Sequence, residues 1–309
     1  MKVQTIARML RRPELFVQAC SRKGWLNWMS DEAYLKLVYR MRMGKKLNLQ
    51  APRTFNEKLQ WLKLYDRKPH YTELVDKYEV RKHITELLGE EYLIPLLGVW
   101  DSAEEIDFES LPQQFVLKCT HDSGSVIICR DKDSFDMKAA RAKLTRCLKD
   151  NGYAFGREWP YKNVRPRIIA EAFMDDEGAG SGLTDYKFFC FDGKPRMIYV
   201  SRGLEDHATA SISFYDLKGN DMPFHRSDYK PLSDPLVLPE MFDKMTCIAG
   251  ELAEMVGCPF VRIDLYSVRG KIYFSEITFS PCGGFLPFEP KEYDEKLGEW
   301  ITLPEKGDA

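Results

Sequence analysis

The chain has 309 residues, of which 30% are charged, 44% hydrophobic and 13% aromatic. That balance is typical of a globular protein, and the length suits two domains or one large one with a substantial core. The net charge of −2 excludes a generic polyanion binder. The charge is uneven, because residues 1–50 carry eleven Lys or Arg against three acidic residues, and the remainder sums to −10. This asymmetry indicates either a nucleic-acid or membrane-surface contact or a solvated basic helix.

The eight cysteines never form a C-x-x-C pair and the five histidines are scattered, so the sequence predicts neither a zinc site nor a disulfide framework. Most cysteines lie in apolar runs such as FVLKC and VIIC, where a free thiol behaves as a small hydrophobic group. This usage favours a reducing compartment. No apolar run approaches the ~18 residues of a membrane span, and the first residues lack the apolar region of a signal peptide. We therefore expect a cytoplasmic protein, with peripheral contact at the inner membrane face left open.

The first quarter of the chain has the pattern of helices. Ser30 is placed to cap the run DEAYLKLVYRMRM, whose apolar residues recur at intervals of three and four. Thr54 and Glu57 form a capping box that opens FNEKLQWLKLY. A third run, LVDKYEVRKHITELLG, repeats the helical period and stops at Gly89, which suits a left-handed C-terminal cap.

From residue 115 the pattern changes to short β-prone runs. FVLKCTH and SVIICRD are joined through small residues at 122–124, which predicts two strands and a tight loop. Helices are expected over 134–152 and 239–257, where caps and stop residues bound a helical period. Between them, RIIAEAFM and the acidic, glycine-rich loop DDEGAGSG precede a hairpin, DYKFFCFDGKPRMIYV, that turns at Asp192 and Gly193.

The segment VRIDLYSVRGKIYFSEITF is the most informative of the chain. Its first half alternates apolar residues with Arg262, Asp264 and Tyr266, as a half-buried strand does. We expect a three-residue turn over 268–270, which sets Arg262 opposite Glu276. In that register Asp264 and Glu276 are diagonal neighbours on one face, roughly 7 to 8 Å apart at the backbone. A two-residue turn would place the two carboxylates on opposite faces.

Two carboxylates and an arginine on one strand face suit Mg²⁺ with phosphate, since Mg²⁺ takes few protein oxygens and arginine forks onto phosphate. A cross-strand ion pair on a solvated face explains the same residues. Three further charges interrupt apolar strands or adjoin them: Lys118 in FVLKC, Glu171 in RIIAEAFM and Lys187 in DYKFF. A charge there is costly without a partner, and the loop 121–125 offers backbone N–H groups to phosphate. Each also has an ordinary explanation as an edge-strand charge, a surface charge or a plain hairpin turn.

The order of these residues resembles the ATP-grasp superfamily, in particular its teichuronopeptide-biosynthesis (TupA-like) branch. The residues that carry the resemblance are Lys77 in VDKYEV, Lys118 in FVLKCTHDSGS, Glu171 in IIAEAFM, Asp264 in RIDLY and Glu276 in SEITFSP. The stretches REWPYKNVRPRIIAEAFM and FSEITFSPCGGF are similar to that branch as well, and the likeness covers about residues 50–300.

This resemblance implies an α+β fold of the ATP-grasp type, in which two α+β subdomains clasp ATP, with a helical N-terminal extension. The implied organisation is a basic helical region at 1–70, then an ATP-grasp region at 71–300, then a tail at 301–309. Within the ATP-grasp region, a first lobe at about 71–175 would carry the phosphate loop and a second lobe at 176–300 the metal-binding strands.

The resemblance also implies roles toward ATP. Lys77 and Lys118 would contact the phosphates, with Lys118 also near the adenine N7 side, and the loop 121–125 would lie over the phosphates. Glu171 and the hinge after it would read adenine or ribose. The implied nucleotide-binding residues are Lys77, Lys118, His121, Ser123, Gly124, Ser125, Glu171, Ala172, Phe173 and Met174.

The implied metal is Mg²⁺, with Mn²⁺ as the alternative, held by Asp264, Glu276 and Thr278. Superfamily ligases usually have Asn at the position of Thr278, and a hydroxyl is the weaker ligand, so the second metal position stays open. The implied catalytic set is Arg262, on the transferring phosphate, with Lys187 and Arg202. The loop 281–284 is similar to the Pro-Gly loop of D-alanine ligases, whose backbone N–H groups would meet the acyl phosphate.

The implied activity is an ATP-dependent carboxylate:amine ligase with an acyl-phosphate intermediate, which asks the protein to position and neutralise rather than to supply a nucleophile. The family implies cell-surface polysaccharide biosynthesis, with an amide formed between a sugar-acid carboxylate and an amine. Arg202, His207 and Arg226 are candidates for holding an acidic sugar, or are surface charges.

Two alternatives stay open, an ATP-grasp kinase acting on a sugar or lipid-linked hydroxyl, and a glycosyltransferase or sugar-binding partner of the same pathway. The expected partners are ATP, an acidic sugar or polysaccharide precursor, and an amine. Since the basic residues 1–50 lie mostly outside the resemblance, they favour an anionic membrane or lipid-linked glycan over nucleic acid.

Overall fold

The structure is a computed structural model that describes residues 13–150, 152–175, 183–203 and 210–306. His207 and all but the first residue of the loop DDEGAGSG lie outside the described residues. Among the helices that are described, none combines the length and the apolar character needed to cross a membrane.

Helices and strands are labelled in chain order. The helices α1 to α9 span Pro13–Arg22, Asp31–Met43, Phe55–Tyr65, Tyr71–Val75, Val80–Leu87, Met137–Cys147, Gly152–Gly156, Phe242–Val256 and Glu292–Gly298. The strands β1 to β11 span Leu96–Trp100, Phe115–Cys119, Ile127–Cys129, Ile168–Ala172, Asp185–Phe191, Lys194–Arg202, Ser211–Asp216, His225–Arg226, Phe260–Val268, Lys271–Thr278 and Phe288–Glu289. Short 3₁₀ segments lie at Glu90–Tyr92, Trp159–Asn163 and Pro281–Gly283.

Two sheets carry the architecture. The larger has the order β10-β9-β5-β6-β7 and the smaller the order β1-β4-β2-β3, while β8 and β11 form a separate two-stranded ladder. All of these named strand pairs are antiparallel. The α+β fold expected from the sequence is therefore confirmed.

The larger sheet is covered on both faces. Helix α8 packs on one face, where Phe188 of β5 stacks against Phe242 with ring centroids 5.7 Å apart. Helices α2 and α3 pack on the other face, where Phe55 meets Phe260 of β9 edge-on at 4.9 Å. Burial of each such ring contributes roughly 1.5–3 kcal/mol. The N-terminal helices thus share a core with the sheet, while the domain boundaries at residues 70, 175 and 300 stay predictions.

The smaller sheet has its own core. Phe115 and Leu117 of β2 and Ile168 of β4 are fully buried with Leu144 of α6. The alternation in β2 leaves Val116 and Lys118 on the opposite face, and both of these residues line a cleft that Asp185 and Tyr266 of the larger sheet also line.

Local sequence signals account for several helix ends. The Ser30 side chain accepts a hydrogen bond from the Ala33 N–H at 3.3 Å, and Thr54 and Glu57 form the predicted capping box. Gly257 ends α8 in the left-handed conformation with φ 63°. These three predictions are confirmed.

Two predicted helices differ from the structure because an aspartate caps the backbone inside each run. Helix α6 begins only after Asp136, whose side chain accepts from the Ala139 N–H at 2.8 Å. The run LVDKYEVRKHITELLG is broken into α4 and α5, because the Asp76 side chain accepts from the N–H groups of Tyr78 and Glu79. This break places Lys77 between two helices rather than on one.

Candidate active site

The β9–β10 hairpin places two carboxylates together by a route that the sequence pattern did not predict. Its turn has two residues, Arg269 and Gly270, with φ of 51° and 74°, typical of a type I′ turn. The predicted three-residue turn is therefore wrong. A β-bulge between Phe274 and Glu276 then shifts the register by one, so that Glu276 stands directly opposite Asp264. The two carboxylates share a face and are cross-strand partners rather than diagonal neighbours.

Arg262 lies at the centre of the resulting group. Its Nε and Nη2 donate to the two carboxylate oxygens of Asp264, each at 2.7 Å. Nη2 also donates to Glu276 Oε1 at 2.7 Å and to Thr278 Oγ1 at 3.0 Å. The Thr278 hydroxyl in turn donates to Glu276 Oε1 at 3.0 Å. One guanidinium thus fixes three side chains on two strands.

Strand β5 adds a lysine and a third carboxylate to this group. Lys187 Nζ donates to Asp264 Oδ2 at 2.7 Å and lies 3.3 Å from Asp185 Oδ1. That Asp185 oxygen is buried and has no hydrogen-bond partner among the described residues. Asp185 is not among the metal ligands that the sequence predicts. We call the whole group the sheet cluster: Asp185, Lys187, Arg262, Asp264, Glu276 and Thr278.

Most charges of the sheet cluster are stabilised by their neighbours. Burial opposes the ionisation of Glu276, but Arg262, Lys187 and Lys77 outweigh it and lower the pKa of that carboxyl to about 2. Burial likewise disfavours the charged Lys187, but Asp185 and Asp264 outweigh it and raise its pKa. Asp264 is the exception, because burial raises its pKa although Arg262 and Lys187 act in the opposite direction.

A cleft of about 820 Å³ opens between the two sheets beside this cluster. Such a volume is in the range of nucleotide and other small-molecule sites. Several of the predicted nucleotide-binding residues line it, together with residues of the larger sheet. Those predicted from the sequence are Lys118, Ser123, Gly124, Glu171, Ala172, Phe173 and Met174.

The Glu171 carboxylate forms ion pairs with two basic side chains. Its carboxylate lies 2.5 Å from Lys118 Nζ and 3.4 Å from Arg81 Nη1, and the residue is only 7% exposed. The next residue, Ala172, donates its backbone N–H to Pro95. Glu171 therefore orients Lys118 toward the cleft, and the hinge residues after Ala172 are the ones left to face a base.

The loop after β2 divides into residues that face the cleft and residues that support it. Ser123 and Gly124 line the cleft. His121 is buried with its Nε2 3.1 Å from a backbone carbonyl, and the buried Ser125 Oγ accepts a backbone N–H of β2 at 2.7 Å. The structure thus places two of the four predicted loop residues toward a ligand and two behind them.

Lys77 joins this loop to the sheet cluster. Its Nζ donates to the backbone carbonyl of Asp122 in the loop. Burial lowers the pKa of Lys77, and Glu276 acts in the opposite direction through its negative charge. Lys77 therefore lies at the end of the cleft where Lys118, the loop and the carboxylates converge, as its predicted role toward phosphate requires.

Sequence reasoning missed a second acid–base group, the Lys63–Glu158 pair. Lys63 on α3 is 4% exposed, and its Nζ donates to the carbonyl of Gly156 at 3.0 Å and to that of Gly283. The Glu158 carboxylate lies against the same glycines, since a Cβ on Gly156 would come within 2.7 Å of Glu158 Oε1. Burial lowers the pKa of Lys63 to about 8 and raises that of Glu158. The signal available in the sequence was a lysine within the apolar run WLKLY.

The Lys63–Glu158 pair lies close enough to the sheet cluster for their charges to interact. Burial raises the pKa of Glu158, Lys63 and Arg262 act to lower it, and Glu276 acts to raise it further. Burial also raises the pKa of Tyr161 well above its usual range, and Glu276 and Glu158 act in the same direction. Glu158 and Tyr161 therefore both respond to the charge of Glu276.

Three further predicted features are held by other contacts or lie on another face. The N–H groups of Gly283 and Gly284 donate within their own turn, at 2.8 and 2.9 Å, and the expectation that they meet an acyl phosphate stays a prediction. Arg202 follows Ser201, whose side chain faces Asp185, so strand alternation places Arg202 on the opposite face of the sheet. Arg226 lies beside Asp228 at 2.6 Å, as an ion pair.

The residues present fit a divalent cation that is bound together with nucleotide phosphates. Within the described ranges, no three His, Cys, Asp or Glu residues converge closely enough to hold a metal ion by themselves. Mg²⁺ needs few protein oxygens, because water and phosphate complete its octahedron. Asp185 Oδ1, which has no hydrogen-bond partner among the described residues, and the 32% exposed side chain of Glu276 supply that fit. Both oxygens of Asp264 are bonded to Arg262 and Lys187.

A cleft between two sheets, lined by Lys118, a small-residue loop and Asp185 of the sheet cluster, is the arrangement expected of an ATP-grasp site. Residues 57–302 match the family described as TupA-like ATPgrasp. The chain therefore belongs to the TupA-like ATP-grasp family, and the resemblance and fold expected from the sequence are confirmed. No curated protein matches the chain.

Solved structures with similarity to the chain include three ATP-grasp proteins or ligases. D-alanine–D-alanine ligase from Bacillus anthracis complexed with ATP shares 16% identity, over 67% of this chain and 55% of that one, with a TM-score of 0.42. L-amino acid ligase from Bacillus licheniformis shares 14%, over 81% and 55%, with a TM-score of 0.42. A RimK domain ATP-grasp protein from Sphaerobacter thermophilus DSM 20745 shares 13%, over 75% and 69%, with a TM-score of 0.40. The chain spans little more than half the length of the first two, and at these TM-scores the similarities add nothing to the family match.

Proposed function

We propose that the protein is an ATP-dependent carboxylate:amine ligase that works through an acyl phosphate. The observation that carries this proposal is the presence of two different acid–base groups, close enough for Arg262 and Glu276 to affect the pKa of Glu158. In the sheet cluster Glu276 and Lys187 are held in their charged forms, as phosphoryl transfer needs, and the Lys63–Glu158 pair has pKa values shifted toward proton exchange, as an amine nucleophile needs.

In the first step a carboxylate oxygen of the substrate attacks the γ-phosphorus of ATP. The bond from that phosphorus to the ADP oxygen breaks and ADP leaves. Lys118 from the small sheet and Arg262 and Lys187 from the large sheet are already oriented by carboxylates, so they neutralise the developing charge without rearrangement. Mg²⁺ bound with ATP would supply further neutralisation of the phosphates, with Glu276 and Asp185 as the residues that would hold it and Asp264 behind them.

In the second step the nitrogen of the amine attacks the acyl carbon. The bond from that carbon to the phosphate oxygen breaks, and inorganic phosphate leaves. The attacking nitrogen must give up a proton, and Glu158 is the carboxylate whose raised pKa suits it to accept one. Lys63 holds the two glycine carbonyls beside Glu158 and so fixes the shape of this end of the site.

For the substrate we propose a sugar acid, in the biosynthesis of a cell-surface polysaccharide. Family membership supports this proposal, and the basic residues 1–50 are consistent with an anionic glycan or an anionic membrane surface near the N-terminal helices. A protein that meets its acceptor at the inner face of the membrane would need such a surface, and no nucleic acid enters this scheme.

Oxygen tracing tests the acyl phosphate. The protein is supplied with ATP, Mg²⁺, an amine and a panel of uronic acids whose carboxylates carry ¹⁸O. A ligase transfers one labelled oxygen to inorganic phosphate, and hydroxylamine in place of the amine yields a hydroxamate. A reaction without carboxylate is the control for simple ATP hydrolysis.

A phosphorylated hydroxyl on the sugar, with no labelled phosphate, would instead establish the kinase alternative. Binding of a UDP-sugar without Mg²⁺-dependent binding of ATP would overturn the ligase proposal and favour a glycosyltransferase.

A further inference from the structure

A second cavity lies apart from the nucleotide cleft, and we call it the N-terminal pocket. It encloses about 580 Å³, which is a usual volume for a small-molecule site. The end of α1 and the loop that leads to α2 form one wall, and α7 with the 3₁₀ segment Trp159–Asn163 forms the other. The two cavities have no lining residue in common.

The charges of this pocket are unbalanced. Arg22, Arg157 and Lys162 line it together with one acidic residue, Asp31. Asp31 is already neutralised, because its Oδ2 is bonded to Nη2 of Arg67 at 2.8 Å and its Oδ1 accepts the hydroxyl of Tyr153 at 2.5 Å. In the described part of the chain neither Arg22 nor Lys162 has an ion pair, so the pocket attracts an anion.

Arg157 is a buried cation at this pocket with a donor that makes no hydrogen bond. The residue is 4% exposed, and its Nε has no hydrogen-bond partner in the described residues. This Nε lies 3.8 Å from Asp31 Oδ1, but Asp31 is shared with Arg67 and Tyr153. The Arg157 Nη2 donates to the Leu26 carbonyl at 3.1 Å and its guanidinium lies 4.7 Å from the Tyr34 ring centroid, so the side chain is held in place. A buried donor without a hydrogen bond is destabilising, and an incoming acceptor would satisfy it.

The remaining lining indicates what kind of anion fits. The amides of Asn27 and Asn163 line the pocket beside the cations, and they both donate and accept hydrogen bonds, as a ring of hydroxyl groups requires. Trp25 and Trp28, in the loop that forms one wall, are 62% and 78% exposed. Exposed aromatic faces of this sort pack against the apolar faces of sugar rings.

We propose that the N-terminal pocket binds a sugar that carries a carboxylate or a phosphate. Arg22, Arg157 and Lys162 bind the oxyanion, the asparagine amides bind ring hydroxyls, and the exposed tryptophans extend the surface. Arg157 at the pocket is followed directly by Glu158 of the Lys63–Glu158 pair, so one segment connects the two sites. A pocket in this position can bind an anionic acceptor through a part of the acceptor that is remote from the reacting group. That role rests on the proposed ligase function, whereas the binding of the sugar does not.

Titration calorimetry on the full chain tests the binding with the nucleotide cleft occupied. The protein is saturated with ADP and Mg²⁺ and then titrated with glucuronate, glucose 6-phosphate, glucose and inorganic phosphate. We expect one-to-one binding of the charged sugars and none of glucose, and the first two arms decide between carboxylate and phosphate. The double variant Arg22→Met with Lys162→Met should weaken this binding at least tenfold. Lys194→Met with Lys271→Met removes the same charge from exposed sites elsewhere and should change it less than twofold.

Three results would overturn the proposal. One is the lack of saturable binding by either charged sugar, and another is an equal loss in the control double variant. The third is binding to phosphatidylglycerol vesicles alone, sensitive to Arg22 and Lys162, which would make this surface a membrane contact. Since Arg22 and Lys162 are exposed, we expect the double variant to fold like the wild type. The variant Glu276→Gln should still bind the charged sugar, so a failure of the ligase proposal and a failure of this one remain distinguishable.

Discussion

The sheet cluster and the Lys63–Glu158 pair are both buried acid–base groups, yet the cations and glutamates of the two groups behave in opposite ways. In the sheet cluster each cation is hydrogen-bonded to a carboxylate at 2.7 Å, and the pKa of Glu276 falls to about 2. In the pair, Lys63 donates to backbone carbonyls instead, and its pKa falls to about 8 while that of Glu158 rises.

The difference shows that direct contact with a carboxylate decides which of these buried cations keep their charge. A cation in direct contact with a carboxylate gains more than it loses by desolvation, whereas a cation that meets only neutral dipoles does not. A site that must both neutralise phosphate and move a proton needs one group of each kind. Each prediction below removes or alters one side of this contrast.

The largest effect is expected from Glu276→Gln. The change removes the exposed carboxylate of the sheet cluster while keeping its shape, so Arg262 loses one ion pair and Mg²⁺ loses a ligand. We expect kcat to fall by about a thousandfold, in the range seen when a preorganised electrostatic group is removed. Steady-state phosphate release with ATP and the substrate panel measures it.

The exposed Glu251 on α8 offers the matched control, and Glu251→Gln should retain full activity. Thermal unfolding should show Glu276→Gln within a few degrees of the wild type, since the side chain is partly exposed. Wild-type turnover in Glu276→Gln would remove this residue from the catalytic machinery.

The second prediction concerns Glu158→Gln, which removes the proposed proton acceptor. We expect kcat to fall by about a hundredfold, a usual contribution of general base catalysis. Because the pKa of Glu158 is raised, wild-type activity should decline as the pH falls through that pKa and the base becomes protonated. The variant should lose this acidic limb, which a pH profile of kcat reveals. If Glu158→Gln kept the same decline of kcat at acidic pH, the decline would belong to another titrating group. Glu251→Gln again serves as the control.

These two residues also show what the sequence could and could not predict. Alternation in VRIDLY and the hairpin composition were enough to place Asp264 and Glu276 on one face. The bulge that makes them cross-strand partners leaves no trace in hydrophobic period, because one extra residue is absorbed locally. The prediction of a shared face was right only because two departures from the expected register compensate.

Lys63 and Glu158 escaped prediction for a different reason. Lys63 donates to Gln60, three residues away, but its other acceptors lie 93 and 220 residues away, at Gly156 and Gly283, and no local pattern encodes such distant backbone carbonyls. Lys118 and Lys187 were easier to find because a charge within a strand already contradicts its apolar surroundings. Helix caps such as Thr54 with Glu57 were easiest, since all of their partners are local.

The third prediction is a pH dependence of stability that comes from Lys63. Its pKa is about 8 in the folded chain and near 10.5 when unfolded. Between these values the unfolded chain binds a proton that the folded chain lacks, so the free energy of unfolding rises with pH, by roughly 3 kcal/mol at most. Urea denaturation from pH 7.5 to 10.5 should show this rise in the wild type and not in Lys63→Met.

Subtracting the Lys63→Met curve of unfolding free energy against pH from the wild-type curve removes the contributions of the other groups that titrate in this range. For Lys149→Met, which changes an exposed residue just after α6, the plot of unfolding free energy against pH should run parallel to that of the wild type. If the curve for Lys63→Met were also parallel to that of the wild type, Lys63 would stay charged in the folded chain. The contrast with the sheet cluster would then be lost.

The smallest effect is expected at Thr278, where the hydroxyl bonds both Arg262 and Glu276 at 3.0 Å. Thr278→Val keeps the shape and removes the oxygen, whereas Thr278→Ser keeps the oxygen. If the hydroxyl completes the metal site, Thr278→Val should raise the Mg²⁺ concentration for half-maximal activity about three- to tenfold, and Thr278→Ser should leave it unchanged. A fall in kcat at unchanged Mg²⁺ requirement would show instead that Thr278 positions Arg262, because a hydroxyl that only orients the guanidinium affects the transfer step and not the binding of the cation.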